Sequence, residues 1–243
     1  ISPSKLKAII RCPYSLQLNE LYPHLAPPAH PSALRGTNLH TLIAQRLSYA
    51  SRSHSDAPRT NDELKDDLLP TILEQEASMG LSSTDLSQLD IAFQETLRFF
   101  SFYDIDQSSI QLEQHLSCLT IDDEQILGTA DLVATPSHSN PPALHILDFK
   151  FGRIPVSPDN NPQLIAYALG ASKLHPEAEV FYLHILQPPN QLQTTTLTLL
   201  QLQSHLLTFA QSIRQATSAN PSIYRNPSED NCRYCYARIM CDI

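Results

Sequence analysis

Asp148 and Lys150 stand two residues apart in an apolar stretch spanning residues 143 to 151. Side chains at that spacing share one face of a strand, so a carboxylate and an ammonium project together while Leu147 and Phe149 pack on the other face. A carboxylate that holds a metal ion, beside an ammonium that orients a water, is what phosphodiester hydrolysis asks for. By itself the pattern is weak, because an exposed ion pair on a strand is its commoner meaning. Three further groups strengthen it. Gly128-Thr129-Ala130-Asp131 puts a second acid on the preceding strand, where a hairpin neighbour brings it beside Asp148. Gly36-Thr37-Asn38-Leu39-His40 supplies an imidazole, which when neutral completes a carboxylate metal site. Gln163 and Tyr167 lie four apart, an amide and a phenol on one face of a helix. Taken singly, His40 is more often a satisfied core histidine, and Gln163 with Tyr167 a solvated or capping pair. Four such elements in this order are much harder to assemble by accident.

The cysteines form a second constellation. There are five, Cys12, Cys118, Cys232, Cys235 and Cys241, an odd number that fits a disulfide framework poorly. Cys232-x2-Cys235 has a bite that points two thiolates at one metal from a tight turn. Cys241 follows closely, and Cys12, at a bend made by Pro13, is the natural fourth ligand. Cys118, between Leu116 and Leu119, reads as a small buried hydrophobe. Spacing leaves three readings of the four-cysteine set open: structural zinc, an iron-sulfur cluster, or unrelated thiols. Either metal ties the two chain ends together and closes a very long loop, which makes the site a stability element.

The elements that must position these groups follow from periodicity. Residues 4–11 and 15–21 read as short helices around the Cys-Pro bend, followed by a Pro-rich loop over 23–31. Residues 32–50 carry Leu34, Leu39, Leu42, Ile43 and Leu47 at helical spacing, with His40 on the same helix. Residues 61–79 and 84–102 read as two more helices, a helical insert covering about 52–105. The period then changes. Strands are expected over 110–120 and 125–135, with a turn at Asp122-Asp123-Glu124, and over 143–151. Asn160, Asn161 and Pro162 announce a helix running to Leu174. A strand over 179–187, an edge strand over 194–199 and a helix over 200–219 complete the order, which is that of an α/β fold with a mixed sheet flanked by helices.

Composition sets outer limits. The 243 residues carry 16 basic and 25 acidic side chains, a net of −9, which argues against a general nucleic-acid coat or a membrane-surface protein. Any polyanion must be met locally. Arg35, Arg46, Lys150, Arg153 and Lys173 near the motifs, and Arg225, Arg233 and Arg238 near the cysteines, are the expected basic track. No apolar run reaches the roughly 18 residues of a membrane span. Ile1 to Arg11 has no apolar segment of signal-peptide length and reads as the start of a trimmed fragment, so a cytoplasmic location is expected. No Gly-x4-Gly-Lys-Ser/Thr segment is present, so a nucleotide-driven motor is not expected in this chain. Only five glycines are present, and three of them, Gly36, Gly128 and Gly152, fall in or beside the motifs.

The ordered set Gly36-x3-His40, Gly128-x2-Asp131, Asp148-Phe149-Lys150 and Gln163-x3-Tyr167, framed by Cys12 and Cys232-x2-Cys235-x5-Cys241, resembles the iron-sulfur branch of the RecB-like PD-(D/E)XK nucleases. CRISPR-associated RecB-like exonucleases, the AddB nuclease domain and phage-borne relatives belong to that branch. The resemblance spans Cys12 to Cys241 and implies a restriction-endonuclease-like fold over 1–243. Its nuclease core would be about 32–50 and 106–219, with an iron-sulfur segment at 12 and 225–243. It implies that His40, Asp131 and Asp148 ligate Mg²⁺ or Mn²⁺ with the Phe149 carbonyl, that Lys150 positions the attacking water, and that Gln163 and Tyr167 support Lys150 and the scissile strand. It implies that Cys12, Cys232, Cys235 and Cys241 hold a [4Fe-4S] cluster. The implied activity is metal-dependent cleavage of DNA, as an exonuclease on single strands or ends, with a helicase, recombination or CRISPR partner protein. A non-catalytic iron-sulfur or zinc DNA-binding module, or a subunit of a helicase-nuclease complex, is the alternative. Glu113 matches an acid often seen in the family, although a solvated strand face is its simpler reading.

Overall fold

Short helices α1 (Leu6–Arg11) and α2 (Tyr14–Leu21) meet at the Cys12-Pro13 bend, where Cys12 leaves the helix in an extended conformation. The long helix α3 (Pro31–Arg52) and α4 (Ser83–Phe102) follow. Then come β1 (Ile110–Ile121), β2 (Glu124–Ala134), β3 (Ala143–Phe149), α5 (Pro162–Ala171), β4 (Val180–Leu186), β5 (Gln193–Thr198), α6 (Leu199–Ala216) and the single turn α7 (Glu229–Cys232). The computed structural model describes residues 1–243 apart from Ala29, residues 53–77, Ser137, Tyr234 and residues 242–243. The helix expected over 61–79 lies almost wholly outside the described residues. Among the described residues no helix is long and apolar enough to cross a membrane.

The five strands form one mixed sheet in the order β1-β2-β3-β4-β5. Only β3 and β4 run parallel, with Leu147 opposite His184 and Phe149 opposite Leu186; the other neighbours are antiparallel. A parallel step needs a crossover, and α5 supplies it. That puts Gln163 and Tyr167 directly after the strand that ends in Asp148 and Phe149. Every residue of β3 is buried, as expected for a central strand covered on both sides. Leu144 and Ile146 pack with Leu164, Ile165, Phe209 and Ile213 of α5 and α6, while Leu147 and Phe149 pack with Leu39, Ile43, Phe93 and Phe99 of α3 and α4. The alternation read from sequence is therefore the division between two core layers. The strand ends at Phe149 rather than 151, but the Lys150 N–H still donates to the Leu186 carbonyl at 2.9 Å and keeps that lysine fixed to β4.

Helix starts are built by side chains. Asn161 accepts from the N–H groups of Gln163 and Leu164, with Pro162 in the first turn of α5. Ser82 and Asp85 form a reciprocal capping box at α4, and Thr198 with Gln201 does the same at α6. Asp85 has a second task. It also receives the guanidinium of Arg35 from α3, whose remaining donors go to Gln88 Oε1 and, at 2.9 Å, to the Phe151 carbonyl.

Beneath α4 the sheet holds an unforeseen buried polar pair. His145 on β3 and His184 on β4 are 1% and 0% exposed, stacked 5.3 Å apart, with His145 Nδ1 at 3.0 Å from His184 Nε2. Across that contact one ring donates and the other accepts, so the accepting ring is neutral. Burial pushes His145 down to about 4 and His184 well below its ordinary value. The unfolded chain takes protons near pH 6.5 and the folded chain does not. The contribution of this pair to stability is therefore flat above that value and falls as the pH drops from 6.5 towards 4, by about 3 kcal/mol from His145. The urea midpoint of the wild type relative to that of His145→Gln should fall across this window, a difference from which the other titrating groups cancel.

Candidate active site

The register that pairs Leu132 with Leu147 places Asp131, inside β2, opposite Asp148 one step further along, where the β2–β3 pairing ends. Asp131 Oδ2 accepts the Phe149 N–H at 2.7 Å, which locks the carboxylate to the backbone between Asp148 and Lys150. Its other oxygen lies 3.2 Å from His40 Nδ1, reached from α3. The His40 ring stands edge-on to Phe151 at 5.4 Å, so apolar packing sets its orientation. Lys150 Nζ lies 2.6 Å from Asp148 Oδ2. From α5, Gln163 Nε2 donates to Asp148 Oδ1 and to the Tyr167 hydroxyl, each at 3.1 Å, while its Oε1 accepts from Lys150 Nζ at 3.4 Å. All six residues singled out in the motifs are thus in one connected group.

Electrostatics follow from the geometry. Asp148 is 2% exposed, and burial together with the neighbouring charge of Asp131 raises its pKa despite the opposing pull of Lys150. Burial works to keep His40 neutral, but the bond to Asp131 and the charges of Asp131 and Asp148 outweigh it and raise its pKa. Tyr167 is pushed upward, chiefly by burial, so its hydroxyl stays protonated. Asp148 Oδ2 is buried, and its partner is the Lys150 ammonium at 2.6 Å. A set of two carboxylates and an imidazole suits a divalent cation. No three His, Cys, Asp or Glu side chains among the described residues are gathered closely enough to hold a metal ion as they stand. The ion pair between His40 and Asp131 and that between Lys150 and Asp148 occupy the same atoms that a cation would use.

Gly128 sits behind this group. A Cβ there would come within 2.7 Å of the Pro3 ring and 2.9 Å of Tyr167 Cε1. Gly128→Ala should push Tyr167 away from Gln163 and cost about 1–3 kcal/mol, read as a lower urea midpoint.

Glu113 is nearer to the site than its sequence context implied. It interrupts the β1–β2 pairing between Leu112–Leu132 and Gln114–Ala130, with φ at 49°, a left-handed value costly for a glutamate. Burial raises its pKa first, and the charge of Asp131 adds to that; His40 and His115 oppose. The register is unchanged across it, so a single left-handed residue of this kind leaves no trace in an alternating strand pattern.

The expected basic track is broken. Arg35 is spent on Asp85, Gln88 and the Phe151 carbonyl, Arg46 on Asp90 at 2.6 Å, and Lys173 on the Ser117 carbonyl at 2.9 Å. These cations hold helices and strands together, because a buried or half-buried carboxylate needs a partner more than a solvent-facing one does.

The cysteine segment closes the two ends of the chain. Asn226 N donates to Cys12 Sγ at 3.4 Å, and its amide donates to the Arg11 carbonyl at 2.9 Å. The Tyr236 hydroxyl donates to the Asn19 carbonyl at 2.8 Å, and Cys235 Sγ donates to Asn19 Oδ1. Cys12, Cys232, Cys235 and Cys241 line one small cavity with Tyr14, Leu18, Arg225 and Arg238. Burial raises the Cys235 pKa, a backbone N–H opposes, and the other three thiols add to the rise, which shows the four felt by one another. Cys118 lies elsewhere, inside the layer under α5, with its thiol raised to about 11 by burial.

A family model matches residues 1–243 in full. The chain belongs to the DUF2800 family. That family is described as a protein of unknown function. No curated protein matches this DUF2800 chain. Among solved structures, one titled "Crystal structure of SSO0001" is similar to it at a TM-score of 0.35 and 14% identity, over 83% of this chain and 95% of that one.

Proposed function

We propose that this protein is a metal-dependent nuclease of the RecB-like PD-(D/E)XK type that hydrolyses phosphodiester bonds in DNA. The observation that carries the reading is the joining of Asp131, Asp148, Lys150, Gln163 and His40 through direct contacts at one end of the sheet. His40, Asp131 and Asp148 would hold Mg²⁺ or Mn²⁺, the cation displacing the ion pairs these side chains now make with one another and with Lys150. A divalent cation bound there supplies Lewis-acid charge and a water of lowered pKa. Lys150, tethered by Gln163 and by its own backbone bond to Leu186, offers a fixed cation for charge that builds on the phosphate oxygens. Gln163 divides its amide among Asp148, Lys150 and Tyr167 and so fixes the relative placement of acid and base. In the overall reaction the water oxygen bonds to phosphorus, the ester oxygen departs, and the water's proton ends on the departing oxygen.

For the cysteines the proposed occupant is a [4Fe-4S] cluster. Four thiols lining one cavity suit a cluster in which each iron takes one thiolate, as the family resemblance implies. Its role is to staple segments already held by Asn19, Asn226 and Asn231. The test of the nuclease reading is cleavage of end-labelled single and double strands with Mg²⁺, Mn²⁺ and chelator compared. Metal-dependent loss of label is expected; no cleavage of either substrate under any metal overturns the reading.

A further inference from the structure

Gln187 follows β4 and is 4% exposed. Its three hydrogen-bonding groups are all spent on one short segment: Nε2 donates to the Gly152 carbonyl at 2.6 Å and to the Ile154 carbonyl at 2.8 Å, and Oε1 accepts from the Val156 N–H at 3.0 Å. Arg35 holds the preceding carbonyl, that of Phe151, at 2.9 Å. The turn Gly152–Val156 follows Lys150 by one residue; its backbone is anchored by Gln187 and Val156 packs on the core, while Arg153 and Ile154 are exposed. Ile154 is 65% exposed, and Arg153 is exposed with no hydrogen bond or ion pair among the described residues. The other cations around the site are committed to internal partners. A loop whose backbone is fixed by a buried amide, yet whose cation and apolar side chain contact nothing inside, is shaped to meet something outside.

We infer that the Gly152–Val156 turn is the strand-contacting edge of the site: Arg153 meets a backbone phosphate of an unpaired nucleic-acid strand, Ile154 lies against a base, and Gln187 is the positioning residue for both. The inference rests on the nuclease reading above and names the residues by which that site grips its substrate. Three residues of chain span at most about 11 Å, so a strand whose scissile phosphate faces Lys150 reaches Arg153 as well. A base face is open to Ile154 only where the strand is unstacked. In a protein with a net charge of −9, one uncommitted guanidinium beside the site counts for more than it would on a basic surface.

The test uses the full chain, Mn²⁺ and a labelled single-stranded oligothymidylate, with KM and kcat measured against salt concentration. Arg153→Ala should raise KM about tenfold, change kcat much less, and reduce the slope of log KM against log salt by about 0.7, the share of one phosphate on a single strand. Ile154→Ala should raise KM and Ile154→Phe should lower it. Gln187→Glu turns two donors into acceptors facing carbonyls and should reproduce the Arg153→Ala defect at unchanged far-ultraviolet circular dichroism. Arg214→Ala, which removes a cation paired with Asp122 elsewhere, should move none of these. Wild-type cleavage with an unaltered KM and salt slope in Arg153→Ala overturns this inference and leaves the nuclease reading standing. Absence of cleavage in the wild type overturns both.

Discussion

Lys150→Ala should lower the rate of metal-dependent strand cleavage by at least about 10³-fold. The same replacement leaves Asp148, 2% exposed, without a cation, so the fold should weaken as well. Loss of activity by itself would then be ambiguous between chemistry and folding. The double variant Asp148→Asn, Lys150→Met separates the two. It removes the buried charge along with its partner, keeps an amide that can still contact Gln163, and should recover most of the urea midpoint lost in Lys150→Ala while remaining inactive. Single-turnover cleavage with saturating Mn²⁺ and parallel urea titrations decide it. Retained cleavage in Lys150→Ala would remove Lys150 from the chemistry, and retained cleavage in the double variant would remove Asp148 as well.

Cys235→Ser should bleach the protein and destabilise it together. With a cluster held by Cys12, Cys232, Cys235 and Cys241, anaerobically purified protein is expected to be brown with broad visible absorbance. Because ligand binding at a structural site adds directly to folding free energy, loss of the site on the order of 4 kcal/mol lowers the melting midpoint by roughly 10 °C for a chain of this size. Cys118→Ala is the control. That thiol is buried under α5, away from the cavity, so the colour should be unchanged. A colourless wild type carrying stoichiometric zinc would assign the four cysteines to a single ion instead.

Much of this architecture is legible in the sequence because the relevant signals are local. All five strands fall where alternation and turn residues put them, and Asn161-Pro162 starts a helix for the reason its residue types give. The proximity of Asp131 and Asp148 follows from hairpin register, a consequence of the short links between β1, β2 and β3. What escaped depends on partners far apart in the chain. Arg35 and Arg46 look free in sequence, and only the packing of α3 against α4 brings Asp85 and Asp90 to them. His145 and His184 become a pair only through the parallel register of β3 with β4. Gln187 looks like the last residue of a strand until the loop after Lys150 folds over it. Glu113 was hidden differently, because a single residue at positive φ that leaves the strand register unchanged also leaves the hydrophobic pattern on either side intact.

The double use of Asp85 has an evolutionary consequence. As the third residue of α4 it can be exchanged for glutamine with no loss to the helix, since a capping box accepts either Glu or Gln there. As the anion that steers Arg35 to the Phe151 carbonyl it tolerates no neutral substitute. Drift that is silent for the helix would therefore be visible at the far end of the sheet, and selection on the candidate site reaches into a helix start that touches none of its reacting groups.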